Sequence, residues 1–281
     1  MMKKLMQGFY AASEPLRTAG ELGALYTFWN WIKHNTPAGT NKPVLLLPGI
    51  MNGDTMMGPL RDALAEKGYA VHGWQGGINT GFNEKTAKHL QDRLREVYES
   101  SGRKKVTLVG HSLGGLFARE LAREFPDMVE SVITLGSPFG MKEHEVPEAL
   151  MKFYQFINPK GDPRDFSDKD LQNRRLTPPP VPTTSVFSRA DGVVPWQACL
   201  NPKTPLSENI EIDSSHSGMI YHPLAVTAII DRLAQNPATW QAFNPAQYST
   251  LYGNGAKAEQ IPDNPEWRHN SKSRPVFRKN P

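Results

Sequence analysis

Short apolar runs and helix-like stretches take turns along the middle of the chain. Val44–Leu47, Tyr69–His72, Val106–Val109, Ser131–Leu135, Thr184–Ser188 and Asn209–Ile212 read as strands. They show little alternation with polar residues, the pattern of parallel strands covered on both faces. Between them, Met57–Lys67, Glu84–Ser100, Leu113–Glu124 and Pro223–Ala234 carry apolar residues at helical spacing. Strand alternating with helix predicts a doubly wound α/β core, a mostly parallel sheet of about six strands with helices on both faces, because each parallel crossover needs a connecting segment.

The pattern divides the chain. Residues 42–138 and 183–235 form the α/β core. The excursion 139–182 breaks the alternation: Val146–Ile157 reads as a helix, a polar stretch follows, and Thr177-Pro178-Pro179-Pro180-Val181-Pro182 returns the chain to the sheet. A long excursion inside a compact domain is commonly functional, and this one is expected to be a cap or lid over the strand ends. Residues 1–41 place Leu5, Phe9, Leu16, Leu22, Leu25, Tyr26, Trp29 and Ile32 at spacings of three and four, predicting one or two amphipathic helices packed on the core. The alternative for this segment is an interfacial patch giving peripheral membrane contact near a lipid-like substrate. Residues 236–281 hold Asn236-Pro237, Asn244-Pro245 and Asn264-Pro265 and no sustained apolar period, and are expected to be irregular.

Composition narrows the classes. Of 281 residues, 38% are hydrophobic and 21% charged, enough to bury a core. No stretch reaches the roughly 18–20 apolar residues that a bilayer span needs. The start Met1-Met2-Lys3-Lys4 is basic, but the next residues are too short and interrupted for a signal peptide's apolar region. A single cysteine, Cys199, cannot form an internal disulfide, which favours a cytoplasmic setting. The net charge of +4 lies mostly in the last 28 residues, where six Lys/Arg face three acidic residues. The near-neutral body gives no support to a nucleic-acid partner.

The chemistry centres on Val106-Thr107-Leu108-Val109-Gly110-His111-Ser112-Leu113-Gly114-Gly115. It contains G-x-S-x-G between an apolar strand and a helix, the context of a nucleophile elbow. Glycines at 110 and 114 remove side chains that would collide in so sharp a turn. A serine hydroxyl is a poor nucleophile near neutral pH and needs a base, with a group to orient that base. Asp191, in the turn after Thr184–Ser188, is the candidate acid; Asp54 and Asp213 are its rivals. His216, after Asn209–Ile212, is the candidate base, ahead of His222. His111 is expected to pack beneath the elbow. Backbone N–H groups of Ile50 and Leu113 are the candidate oxyanion donors, with Met51 as Ile50's neighbour. Met51, Phe139 and Phe153 are candidate substrate contacts. H-E-x-x-H and Cys/His clusters are absent, so no metal is expected.

Leu47-Pro48-Gly49, Gly110–Gly115, Thr134-Leu135-Gly136-Ser137-Pro138, Asp191-Gly192-Val193-Val194-Pro195 and Ser215-His216-Ser217-Gly218 together resemble the α/β-hydrolase superfamily, in its serine esterase and lipase branch. Tyr69–Trp74 is similar to a subgroup of bacterial lipase-like hydrolases. The resemblance implies the α/β-hydrolase fold and ester hydrolysis through an acyl-enzyme, with no cofactor. It casts Ser112 as nucleophile, Asp191 as orienter and His216 as base. One departure is Pro48, where many members carry histidine before the glycine. The implied substrate is a small-molecule or lipid ester, of medium or long acyl chain given the apolar cap. Amide or thioester cleavage by the same triad, and a non-catalytic binding protein on the same fold, are the alternatives.

Overall fold

The computed structural model describes residues 2–141, 148–159 and 169–252. Six strands form one parallel sheet: β1 (Pro43–Leu47), β2 (Ala70–His72), β3 (Val106–His111), β4 (Val129–Leu135), β5 (Thr183–Phe187) and β6 (Ser207–Glu211), in the order β2-β1-β3-β4-β5-β6. Eight helices accompany them among the described residues: α1 (Met2–Asn35), α2 (Gly58–Glu66), α3 (Glu84–Ser100), α4 (Leu113–Glu124), α5 (Glu148–Ile157), α6 (Lys169–Leu176), α7 (Pro223–Ala234) and α8 (Ser249–Tyr252).

Strand side chains point alternately to the two faces. In β1, Val44 and Leu46 join a core with Leu25 and Ile32 of α1, Leu60 of α2 and Ile229 of α7. Leu45 and Leu47 face the other way, into a core with Leu90 and Leu94 of α3 and Phe117 of α4. Both faces being covered explains why β1 is buried throughout and reads as a continuous apolar run. β3 extends two residues past the apolar run, because its pairing with β4 continues through Gly110–Thr134 and His111–Leu135.

α1 departs most from expectation. It is one helix of 34 residues with Pro15 inside it. Its second half packs as predicted, through Leu25 and Ile32. In its first half the apolar residues face outward: Phe9 is 68% and Leu16 79% exposed. The face turned to the protein there carries Gln7, Glu14 and Glu21, which lie in line with Leu25 and Ile32 at helical spacing. No helix among the described residues is long and apolar enough to cross a membrane.

The excursion between β4 and β5 is described only in part. α5 is tied to the loop after β2: Phe82 N–H donates to Tyr154 Oη (3.1 Å) and Asn158 Nδ2 to Phe82 O (2.8 Å). α6 is tied to α4. Arg174 Nε donates to Glu120 (2.8 Å), and the buried Arg119 donates to Arg175 O (2.9 Å), Thr177 O (3.3 Å) and Asn201 Oδ1 (2.7 Å). Residues 142–147 and 160–168 of the expected cap lie outside the described residues. Beyond α7, residues 236–252 are more ordered than an irregular tail. They form short turns and α8, and Phe243 and Tyr248 are buried against the core, Tyr248 Oη donating to Asp231 (2.5 Å). The rest of that segment lies outside the described residues.

Candidate active site

Every candidate catalytic residue follows the carboxyl end of a strand, the edge where open α/β sheets bind ligands. β3 runs directly into Ser112, and α4 starts at Leu113. Ser112 has φ 51° and ψ −121°, in a region that residues with a β-carbon rarely occupy. A Cβ on Gly110 would lie 2.5 Å from Gly115 Cα, and one on Gly114 would lie 2.6 Å from Leu47 C. The two glycines therefore let α4 turn back against the sheet. Ser112 N–H donates to Leu135 O (2.8 Å), tying the turn to β4. Its hydroxyl makes no hydrogen bond among the described residues and stands at the positive end of α4.

Asp191 and His216 are brought together. Asp191 Oδ1 accepts from Val193 N–H (2.8 Å) and Val194 N–H (2.7 Å), which aims Oδ2 at His216 Nδ1, 2.7 Å away. Both side chains are buried. Engagement of Nδ1 leaves Nε2 as the basic nitrogen. His111, the residue before the serine, hydrogen-bonds His216 O through Nε2 (3.0 Å), and the two rings are 5.0 Å apart. Gly136 leaves room for the pair: a Cβ there would lie 3.2 Å from His216 Nδ1. Burial by itself pushes the His216 imidazole down. The charge and hydrogen bond of Asp191, with the charge of Glu14, outweigh burial, and the net direction is up. Burial, then the neighbouring His216, lowers His111 to about 3, so it stays neutral beneath the turn as expected.

The rivals stand elsewhere. The Asp213 side chain is 91% exposed and pairs with Arg17 at 3.7 Å. Asp54 accepts from Trp74 N–H (2.9 Å) and Gln75 N–H (3.0 Å). His222 accepts from Leu224 N–H (3.2 Å) and caps α7.

The loop after β1 separates Ile50 from Met51. Met51 N–H donates to Asn79 O (2.7 Å), whereas the N–H groups of Ile50 and Leu113 have no acceptor among the described residues. Gly49 brings this loop to the elbow, since a Cβ on it would lie 3.1 Å from Ser112 Cβ. Asn79, which the sequence did not single out, holds the loop. Its Nδ2 donates to Pro48 O (2.8 Å), its N–H to Asn52 O (2.8 Å), and its Oδ1 accepts from Gly81 N–H (3.0 Å). Of the candidate substrate contacts, Met51 is 46% exposed. Phe139 is buried with the Arg119 guanidinium 3.7 Å above its ring, a contact that takes up that face. The Phe153 side chain lies outside the described residues.

A second set of residues that the sequence did not single out comes from α1. Glu14 accepts from Gly192 N–H (2.9 Å), His216 N–H (2.9 Å) and Ser217 N–H (3.3 Å). Arg17 donates to Ala190 O (2.6 Å) and Gln7 to Asp191 O (3.2 Å). Glu21 accepts from Ser215 N–H (2.7 Å) and from the Ser215 hydroxyl. The available signal was the row of polar residues at 7, 14 and 21 on the helix face that becomes apolar at Leu25 and Ile32.

The family described as the alpha/beta hydrolase fold matches residues 42–170, a span that holds Ser112 and both oxyanion candidates and stops before Asp191 and His216. The chain is similar to a triacylglycerol lipase of Vibrio cholerae, 31% identical over 102 residues, covering 34% of this chain and 32% of that one. It is also similar to a triacylglycerol lipase of Burkholderia plantarii, 31% identical over 115 residues, covering 37% and 31%. The chain thus spans about a third of the length of these relatives. A solved monoacylglycerol lipase of Paleococcus ferrophilus aligns over 70% of this chain and 98% of its own, at 18% identity and a TM-score of 0.48. The family match and the six-stranded parallel sheet built around it identify the chain as a protein of the α/β-hydrolase fold.

Proposed function

We propose that the protein is a serine hydrolase of carboxylic esters, with Ser112 as nucleophile, His216 as general base and Asp191 as the group that orients it. The buried Asp191–His216 pair, set beside the turn that carries Ser112, is the observation that supports this reading most. His216 Nε2 takes the hydroxyl proton as Ser112 Oγ attacks the ester carbonyl. The N–H groups of Ile50 and Leu113 hold the resulting oxyanion, and Asp191 stabilises the imidazolium. His216 then gives its proton to the leaving alcohol, and water repeats the cycle on the acyl-enzyme. Ser112 and His216 are not hydrogen-bonded to each other in this conformation; such contacts often tighten only when substrate binds.

Exposed Met51 and Val193 on the oxyanion and acid loops, with Phe9 and Leu16 on the neighbouring helix, favour a medium or long acyl chain and contact with a lipid surface. A fluorophosphonate probe tests the chemistry. The protein is expected to be labelled and Ser112→Ala to be unlabelled and inactive on p-nitrophenyl esters; an unlabelled native protein supports a binding role instead. A p-nitrophenyl series from acetate to palmitate tests the chain length, and strict acetate preference overturns that part. Matched amide and thioester substrates test the leaving group.

A further inference from the structure

The base loop takes most of its geometry from its neighbours. Asp213–Gly218 is a run of mostly small residues past the end of β6; the N–H groups of Ser214, Ser215, His216 and Ser217 donate outside it, to Ser188, Glu21 and Glu14, and only Gly218 N–H donates within it, to the Ser215 hydroxyl. His216 is gripped at both backbone ends: its carbonyl by His111 and its N–H by Glu14. The same Glu14 carboxylate accepts from Gly192, the residue after Asp191. One side chain from α1 therefore bridges the loops carrying the acid and the base. Glu14 is buried, and among the described residues no cation pairs with it. A carboxylate only accepts, so three N–H donors from two loops suit it as no neutral side chain would.

We propose that Glu14 is a positioning residue of the triad: it fixes the base loop against the acid turn and keeps a second negative charge beside His216. The role rests on the serine-hydrolase reading of the site, although its effect on His216 can be read without turnover. Three titratable groups face His216: Asp191 from the acid turn, Glu14 from α1 and the neutral His111 from the end of β3. Glu21 holds the adjacent Ser215. The Glu14 charge favours the protonated imidazole, the form that appears as Ser112 attacks. Docking of α1 alone would require none of this, since Leu25 and Ile32 already anchor the helix.

The test uses the full chain with Glu14→Gln, which keeps one acceptor oxygen and loses the charge, and Glu14→Asp, which keeps the charge and loses reach. In an NMR titration the His216 imidazole midpoint is expected to move down in Glu14→Gln. The acid limb of kcat/KM is expected to move with it, while kcat falls about tenfold and KM stays within about twofold. Glu14→Asp is expected to titrate near the native enzyme but lose kcat. An unchanged titration in Glu14→Gln, or losses confined to Tm or KM, overturns the role. If Glu14→Gln does not fold, native kcat in Glu14→Asp overturns it. Failure of the native protein to take a fluorophosphonate sinks the hydrolase reading separately, and the titration still decides what Glu14 does to His216.

Discussion

Replacing Gly114 by alanine puts a methyl group where β1 already stands. The added Cβ would lie 2.6 Å from Leu47 C and 2.7 Å from Pro48 O, both backbone atoms. Ordinary contact begins near 3.4 Å and Leu47 O lies closer still, so α4 or β1 must give by more than about 0.8 Å, and no flexible side chain can absorb it. Overpacking of this kind costs about 1–3 kcal/mol, and a backbone-on-backbone collision belongs at the upper end. The same displacement carries Leu113 N–H, one residue away, off its mark. Oxyanion donors act at about 2.7–3.1 Å, and losing one raises the barrier by about 3 kcal/mol, roughly a hundredfold in rate. Gly114→Ala is therefore expected to lose both stability, by urea unfolding, and kcat, on p-nitrophenyl butyrate. Gly20→Ala and Gly23→Ala in α1 are the controls. Nothing lies within 4 Å of either added methyl, and each is expected to stabilise by about 0.5–1 kcal/mol with kcat unchanged. A Gly114→Ala protein with native stability and turnover would refute the claim that this close approach sets the oxyanion donor.

The folded His111 stays neutral down to about 3, whereas the unfolded chain takes up that proton near 6.5. Its contribution is full above 6.5 and is lost as pH falls, by about 2 kcal/mol at pH 5. His216 has the opposite sign: its raised pKa gives stability present at low pH and lost as pH rises through the folded value. Urea unfolding of the native protein and His111→Asn at pH 5 and 8 separates the two, and equal pH slopes would reject the assignment. Arg119→Met is expected to cost about 3 kcal/mol, because the carbonyls at 175–177 and Asn201 lose a shared donor. Arg119→Lys is expected to recover little, since an ammonium cannot fork; thermal melts check both. Phe9→Ser with Leu16→Ser is expected to reduce sedimentation with phosphatidylglycerol vesicles without changing kcat on a short soluble ester. Equal sedimentation would remove the lipid-surface reading.

The sheet was legible because its strands are buried on both faces and need no partner information to stand out. The ends of α3, α4 and α7 agree with the predicted ones, where Asn83 caps α3, Ser112 opens α4 and His222-Pro223 opens α7. Asp191 and His216 were candidates because each sits in the first loop after a strand, and the structure pairs them. α1 could not be read in the same way. Periodicity assigns the buried face to apolar residues, yet its first half turns Gln7, Glu14 and Glu21 inward, where the loops offer unpaired backbone groups instead of apolar surface. Asn79 was hidden for a similar reason: its partners at 48–52 follow another strand, and no local pattern marks a residue that serves a distant loop.

The long reach of α1 also orders events in time. Glu14 and His216 are 202 positions apart. At about 5–20 residues per second, a ribosome needs roughly 10–40 s to pass from one to the other. A nascent chain that shows the serine turn already carries Glu14, but for roughly the last 5–20 s of that interval it lacks the imidazole that Glu14 seats. On the serine-hydrolase reading, hydrolytic competence would arrive late and all at once.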